Sequence, residues 1–392
     1  MVYYLILVNI QIKKLENYDE QSEVKLRLLV SGGGTAGHVY PLLVTIEMIK
    51  KKLSNERVEV LYVGSKGGIE QRILKNENIP TFFIFSGKWR RYWFRWPPAL
   101  FSNIKDMFLI IFGFFQSLCV VVKFRPEIVF VKGGYVTIPI IFAAKICNIP
   151  IISHESDVVI GLSNKISSFF AKKICVSFPK KYYLNLRGNK IVYTGNPVRK
   201  EFFINNKSSN KKLPIVLVIG GSQGSEKINE TIYKILPDIL SKIKIIHITG
   251  KLKDDKARQI RTKLNNKIKN NYEIYDYLEK ELADKLTKSD LVISRAGANS
   301  LSEISACGKP SIIIPLKNSA SDHQRKNAVI FQEAGAAEVI TEDDLKSDDI
   351  RQKILTLCAN ENKLKNMAIA AKSLSSPKAA EKIAEIIIGS KG

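Results

Sequence analysis

Paired cysteines and paired histidines are what this 392-residue chain most conspicuously lacks. Its five cysteines, Cys119, Cys147, Cys175, Cys307 and Cys358, form no CxxC spacing and stand among apolar neighbours. They read as reduced core residues of a cytosolic protein, which excludes a disulfide framework and a zinc ribbon. Four histidines without a paired ligand motif give no metal site, and neither a metal nor another cofactor is expected. The first ten residues are apolar but have no basic n-region and no small-residue cleavage site, which excludes a secretory signal. Residues 1–24 therefore read as an extension outside the fold, either mobile or the product of a misplaced start codon. Acid is scarce as well: 37 Asp and Glu face 61 Lys and Arg, for a net charge of +24. Most of the excess is scattered lysine, read first as a compositional bias and second as attraction to an anionic membrane surface. No basic-aromatic motif of a nucleic-acid reader is present, so no nucleic-acid partner is expected. Short-period repeats and low-complexity blocks are absent.

What the chain does have is two glycine-rich strand-to-helix turns. One runs from Leu26 to His38 through Gly32-Gly33-Gly34-Thr35-Ala36-Gly37, the other from Ile215 to Gly224 through Gly220-Gly221-Ser222-Gln223. Each is a β-branched run that breaks into glycines and then enters a helical pattern, which aims backbone N–H groups at an anion. Length and a hydrophobic content of 45% suit two domains, each with its own core. Strands are predicted at Lys25–Ser31, Val58–Gly64, Thr81–Phe85, Glu127–Lys132, Pro150–His154, Lys173–Ser177 and Ile191–Thr194. After a lysine-rich stretch over 205–212 they resume at Ile215–Ile219, Ile243–Thr249, Tyr272–Tyr275, Leu291–Ser294, Ser311–Pro315 and Glu338–Ile340, and a final amphipathic helix covers Lys378–Ile388. Strand–helix alternation of this kind predicts an α/β protein with two Rossmann-like, doubly wound parallel sheets facing a cleft. The boundaries are set at 25–198 and 199–372, with the helix of about 373–392 packing back on the first domain.

One segment stands apart. Lys88–Trp96 holds all three tryptophans, interleaved with arginine, and is followed after Pro97-Pro98 by Met107–Val122, a nearly uncharged run. That run is short of the roughly 20 residues a membrane span needs. Two readings stay open: a buried helix of the sheet domain, or a helix whose outer face dips into a bilayer, with Trp89, Trp93, Phe94 and Trp96 as interfacial anchors.

In an open parallel sheet the residues just past the carboxyl ends of the strands line the ligand crevice. His38, Gly133, Gly134, Glu155 and Asp157 all have that address. In the second half, Gly220–Gly224 offers Ser222 and backbone amides to a phosphate. The run from Ser294 to Glu303 supplies a tight turn, a helix start and then a carboxylate, a geometry for a nucleoside diphosphate with Glu303 toward ribose hydroxyls. Asp322-His323-Gln324 follows the next strand and is placed to meet a sugar.

Eight motifs, in order, resemble the MurG family of bacterial glycosyltransferases. They are Gly-Gly-Gly-Thr-Ala-Gly-His-Val-Tyr-Pro (32–41), Lys-Gly-Gly-Tyr-Val (132–136), His-Glu-Ser-Asp (154–157), Gly-Asn-Pro-Val-Arg (195–199), Gly-Gly-Ser-Gln-Gly (220–224), Ser-Arg-Ala-Gly-Ala (294–298), Ser-Glu-Ile (302–304) and Asp-His-Gln (322–324). The resemblance implies a GT-B fold and an inverting transfer of N-acetylglucosamine (GlcNAc) from UDP-GlcNAc to the N-acetylmuramic acid (MurNAc) 4-hydroxyl of lipid I, undecaprenyl-diphosphate-MurNAc-pentapeptide. That places the chain in peptidoglycan synthesis, peripheral on the cytoplasmic face of the cell membrane. It further implies donor contacts at Thr35, Ala36, Gly37, Asp157, Arg199, Ser222, Leu278, Ala298, Asn299, Ser300, Leu301, Ser302, Glu303 and Gln324. Ala36 departs from the family's middle glycine, and Asp157 stands where many relatives have asparagine. His38 is assigned as the base, with Glu155 competing; helix N-termini and Arg199 take the departing diphosphate, since no DxD-like metal motif ends a strand. Two alternatives remain: another GT-B transferase with a lipid acceptor, such as a diacylglycerol glycosyltransferase, and a non-catalytic nucleotide-sugar-binding membrane scaffold.

Overall fold

A computed structural model describes residues 24–53, 57–87, 97–184, 186, 188–204, 212–221, 223–250 and 255–391. The anchor residues Trp89, Trp93, Phe94 and Trp96, the donor residue Ser222 and nearly all of the 1–24 extension lie outside the described residues.

The chain divides into two units. The first runs up to Ser156, resumes over Ile160–Pro197 and returns from Lys378 onward; the second is Asp157–Val159 with Val198–Pro377. The first unit carries β1 (Val24–Ser31), β2 (Arg57–Ser65), β3 (Thr81–Ile84), β4 (Ile128–Val131), β5 (Ile151–Glu155), β6 (Lys173–Val176) and β7 (Ile191–Tyr193). They form one sheet in the order β3-β2-β1-β4-β5-β6-β7, parallel at every pairing. The second unit carries β8 (Ile215–Ile219), β9 (Lys244–Ile248), β10 (Tyr272–Tyr275), β11 (Leu291–Ser294), β12 (Ser311–Ile313) and β13 (Ala337–Val339), in the order β10-β9-β8-β11-β12-β13, again parallel. Both sheets reverse direction beside their first strand, which puts a switch point between β1 and β4 in one and between β8 and β11 in the other. This is the doubly wound α/β architecture expected from the alternation, and each glycine-rich turn leaves its sheet at a switch point.

Continuous apolar runs form the central strands because helices cover both faces. Ile128, Val129, Phe130 and Val131 are all buried. Along β1 the side chains alternate: Leu26, Leu28 and Val30 pack with Val39, Leu42 and Ile46 of the helix Ala36–Lys52, while Leu29 joins Val120, Val121, Ile140 and Ile141 on the other face. Each such side chain contributes roughly 1.5–3 kcal/mol on burial. The closing helix Ala379–Ile388 packs against Ala36–Lys52: Ile383, Ala384 and Ile387 enter the same core, and Lys52 bridges Glu381 at 3.1 Å and Glu385 at 2.8 Å.

The apolar run belongs to the helix Pro97–Phe124, among the described residues the one helix long and apolar enough to cross a membrane by length and composition. Its packing is inverted relative to an ordinary surface helix. The polar Gln116 and Ser117 are buried, Gln116 Oε1 accepting from Phe85 N at 2.8 Å, and Val120, Val121 and Phe124 join the core. Met107, Phe108, Ile111, Phe112 and Phe115 are exposed on the opposite face.

Cys175 and Cys307 are buried and Cys119, Cys147 and Cys358 partly so. Burial pushes Cys175 up to about 12, Cys307 to about 11 and Cys358 to about 12, so none of these three is poised as a thiolate.

Candidate active site

In the first unit, three side chains hold the glycine loop after β1. Tyr62 Oη donates to the Gly32 carbonyl at 2.5 Å, His38 Nδ1 bonds the Gly33 carbonyl at 2.6 Å, and Gly34 N donates to Glu70 Oε2 at 3.1 Å. Glu70 is fully buried and its other oxygen accepts from Ser65 N and Ser65 Oγ at 2.8 and 2.5 Å. Across the switch point the loop after β4 presses against this one. Gly134 has φ +88°, and a Cβ there would fall inside the contact radius of the Gly33 carbonyl oxygen. Thr35 is the N-cap of the helix Ala36–Lys52 and makes no side-chain cap, so Ala36 and Gly37 open that helix with backbone donors. A carbonyl only accepts, so His38 Nδ1 carries the proton it shares with Gly33, and when the ring is neutral the lone pair lies on Nε2.

Glu155, the competing base, is 5% exposed. Its Oε2 accepts from Gly161 N at 2.9 Å and Asn164 Nδ2 at 3.0 Å, which ties it to the turn that starts the helix Leu162–Phe170.

In the second unit, Gly220–Gly224 follows β8 and Ser225 caps the helix Glu226–Ile239 by accepting from Ile228 N at 3.4 Å. Arg295, past β11, reaches across the switch point. Its Nη2 donates to Ser225 Oγ at 2.6 Å and pairs with Glu342, and its Nη1 bonds the carbonyl of Ile314 at 3.2 Å. One guanidinium thus fixes three loops at the sheet's carboxyl end. The helix Ala298–Cys307 begins after Gly297 with no side-chain cap, the arrangement in which first-turn N–H groups meet an anion. Ala298 and Leu301 bury their side chains, and Ser302 Oγ turns back to Ala298 O at 2.7 Å. The groups that Ala298 and Leu301 can offer a ligand are therefore those of the backbone. Glu303 is partly buried; burial pushes its carboxyl up to about 7, against the pull of the Arg199 guanidinium. Arg199 donates to the Glu279 carbonyl at 3.0 Å and lies over the Phe202 ring at 5.0 Å. Leu278, next in chain to Glu279, packs on the cluster that contains Phe202. Arg199, Leu278 and Glu303 are therefore brought to one neighbourhood.

Asp157 and Gln324 are fixed by the helix His323–Glu333. Asn327 Nδ2 donates to Asp157 Oδ1 at 2.8 Å and to the Ala296 carbonyl at 3.1 Å, while its Oδ1 accepts from Val158 N at 3.1 Å. Gln324 Oε1 accepts from Leu316 N at 3.1 Å. Ser321 and Asp322 ahead of that helix have φ +54° and +57°, two consecutive non-glycine residues in the left-handed region. Such strain persists only where the surroundings enforce it.

Tyr62, Glu70 and Asn327 are positioning groups outside the motifs, and Arg295, within the motif 294–298, had no role of its own in the sequence reading. Asn327 had a signal, since it lies one helical turn beyond His323 on the same face. Glu70 had none beyond its place shortly after the second strand.

Two family models match: the glycosyltransferase family 28 N-terminal domain over residues 28–176 and the C-terminal domain over 215–383. The chain is 40% identical over 344 residues to a UDP-N-acetylglucosamine--N-acetylmuramyl-(pentapeptide) pyrophosphoryl-undecaprenol N-acetylglucosamine transferase of Clostridium botulinum, covering 86% of this chain and 92% of that one. It is 37% identical over 376 residues to the protein of the same name from Natranaerobius thermophilus, covering 92% and 99%. Among solved structures, MurG of Acinetobacter baumannii superposes with a TM-score of 0.71 at 25% identity, over 92% of this chain and 99% of that one.

Proposed function

The chain belongs to glycosyltransferase family 28, and from that membership we infer its reaction, its site and its place at the membrane. It is a UDP-GlcNAc-dependent N-acetylglucosaminyltransferase that converts lipid I to lipid II in peptidoglycan synthesis. The observation that carries this is identity of 40% across 86% of the chain with transferases of that name. The glycine motifs at both sheet switch points fall within the residues that the two family models match.

The mechanism follows from the residues at those switch points. His38 Nε2 takes the proton of the MurNAc 4-hydroxyl as its oxygen attacks the anomeric carbon of GlcNAc. The bond from that carbon to the β-phosphate oxygen breaks, and UDP leaves from the opposite face with the electron pair. Inversion follows from the single displacement. Charge growing on the diphosphate meets the uncapped start of the helix Ala298–Cys307 and the Arg199 guanidinium. Glu303 accepts from ribose hydroxyls, Leu278 lies on the uracil side, and Gln324 and Asp157 serve the sugar. Thr35, Ser222, Asn299, Ser300 and Ser302 complete the donor contacts. His38 is favoured over Glu155 because the Gly33 bond sets its tautomer for proton acceptance, whereas Glu155 Oε2 already accepts two hydrogen bonds.

The acceptor is held in a bilayer, and the exposed face Met107, Phe108, Ile111, Phe112 and Phe115 is the surface assigned to it. Spacing of three and four residues lines these side chains along one side of the helix, as an interfacial helix requires. With the lysine excess drawing the chain to anionic lipid, the enzyme is peripheral, on the cytoplasmic face where nucleotide sugars are made.

The deciding assay is transfer of radiolabel from UDP-GlcNAc to lipid I, with UDP-glucose alongside. Lipid II formed from UDP-GlcNAc alone is expected. UDP binding without transfer would instead leave a nucleotide-sugar scaffold, and transfer to diacylglycerol a different lipid acceptor.

A further inference from the structure

Lys132 follows β4 beside the first switch point, is 1% exposed, and has no part in the chemistry above. Its ammonium donates to His154 Nδ1 at 2.7 Å, Ser156 Oγ at 2.6 Å and Asn196 Oδ1 at 3.0 Å. The tautomer of His154 is fixed from the far side, where Nε2 donates to the Gly195 carbonyl at 3.0 Å. The lone pair of Nδ1 therefore faces the ammonium. Burial, and then the Lys132 charge, hold His154 well below the ordinary histidine range, so it remains a neutral acceptor.

The places of Ser156 and Asn196 in the chain give this cluster its meaning. Ser156 is the last residue of the first unit before Asp157–Val159 pass to the second, and Asn196 precedes Pro197, the last before Val198. Two of the four points at which the chain passes between the units, at Ser156 and beside Pro197, are pinned by one buried cation. The residue after the first pin is Asp157, and three residues after the second comes Arg199. Both are assigned to the sugar nucleotide.

We propose that Lys132 is a positioning residue for donor binding: it fixes the points from which the two crossing segments leave the first unit, and so presets Asp157 and Arg199 for the nucleotide sugar. This rests on the donor site proposed above. Hydrogen bonds from a charged donor are worth more than neutral ones, and their loss strands the buried Nδ1 acceptor of His154. Segments that loosen must be ordered again each time the donor binds, which weakens affinity without touching the reacting atoms.

The test is calorimetric titration of the full chain with UDP-GlcNAc, together with steady-state kinetics, for Lys132→Met, Asn196→Ala and Asn196→Asp. Lys132→Met and Asn196→Ala are each expected to raise the donor Kd and donor KM by about tenfold, the scale of one charge-assisted hydrogen bond. The KM for lipid I and kcat at saturating donor should stay near those of the unaltered enzyme. Asn196→Asp, which keeps an acceptor for the ammonium, should restore donor affinity. Where Lys132→Met does not fold, the two Asn196 variants decide. Unchanged donor Kd in Asn196→Ala, or equal rises in donor and acceptor KM, would overturn the role of Lys132 while leaving the donor site standing. Failure of the unaltered chain to bind UDP-GlcNAc would overturn the donor site itself.

Discussion

His38 Nδ1 lies 2.6 Å from the carbonyl oxygen of Gly33, five residues before it in the same turn. The contact joins the loop that packs against Gly134 to the ring proposed to take the acceptor's proton. It also separates two roles a glycine-loop histidine could have. A ring held only for structure could point either nitrogen outward; here the Nδ1 proton is committed to the main chain and Nε2 has the basic lone pair.

Replacing His38 with alanine should therefore cost turnover rather than binding. One general base contributes about 10²–10⁴-fold, and kcat should fall by that much. The Kd for UDP-GlcNAc, measured by titration, should be nearly unchanged. Normal kcat in His38→Ala would transfer the base role to another group, with Glu155→Gln the next variant to assay.

Glu70 is the buried support of the same loop. Its carboxylate accepts from Gly34 N, Ser65 N and Ser65 Oγ, so Glu70→Ala leaves three donors without their partner. Hydrogen bonds to a charged group contribute about 1.5–3 kcal/mol each, and a loss of several kcal/mol of unfolding free energy is the expected outcome by denaturant titration. Glu70→Gln retains two of the acceptor contacts at most and should fall between. Stability equal to the unaltered chain in Glu70→Ala would mean that the loop does not depend on this carboxylate.

Two groups shifted by burial give separate pH signatures, one in stability and one in affinity. His247 is fully buried, bonds Tyr272 Oη at 3.0 Å and Asn229 Oδ1 at 3.1 Å, and is lowered to about 3 by burial. The ordinary value in an unfolded chain is about 6.5. Between those values the unfolded chain binds the extra proton, so stability falls as pH drops through that window, by about 1.4 kcal/mol per pH unit for this one site. Denaturant midpoints at pH 7.5 and pH 5 measure it, and His247→Phe should flatten the slope by one proton. Glu303 is read in affinity instead. Its carboxyl is raised to about 7 by burial, so ionisation as pH climbs through 7 should improve affinity for the ribose hydroxyls of UDP-GlcNAc. The diphosphate of that ligand is esterified at both ends and does not titrate near neutrality. Affinity that rises between pH 6 and 8 in the unaltered enzyme and stays flat in Glu303→Gln is expected; equal slopes would remove Glu303 from the ribose.

The fold was legible in the chain because its strands are short β-branched runs stopped by glycine or proline. Ile215–Ile219, Tyr272–Tyr275 and Leu291–Ser294 begin and end where sequence places them. Strand ends also located the loops that matter, since a parallel sheet sends its ligand-facing residues to one edge. The supports of those loops were not legible. Asn327 holds Asp157 across 170 positions and Arg295 holds Glu342 across 47. Neither pairing leaves a local pattern, because side-chain hydrogen bonds between distant segments obey the topology rather than spacing. The helix Pro97–Phe124 was ambiguous for a related reason. Its run of apolar residues has no polar face to orient it, and only packing shows that Gln116 and Ser117 point inward.

That inversion yields the last prediction. A helix of a water-soluble surface would turn Gln116 and Ser117 outward and bury the phenylalanines; this one does the reverse, leaving Phe108 63% and Phe115 51% exposed. Exposed side chains away from caps and cores change stability by about 0.5 kcal/mol or less when replaced, so Phe108→Glu with Phe115→Glu should leave the denaturant midpoint almost unmoved. Insertion into a bilayer is another matter, because each buried apolar side chain lost removes roughly 1.5–3 kcal/mol and each carboxylate adds repulsion from anionic lipid. The double variant should therefore fail to float with vesicles of phosphatidylglycerol and phosphatidylethanolamine that carry the unaltered enzyme upward. Turnover should fall on lipid I in those vesicles but not on a short-chain, water-soluble analogue of the acceptor. Equal flotation of the two proteins would take this face out of the membrane and return the helix to a role inside the fold.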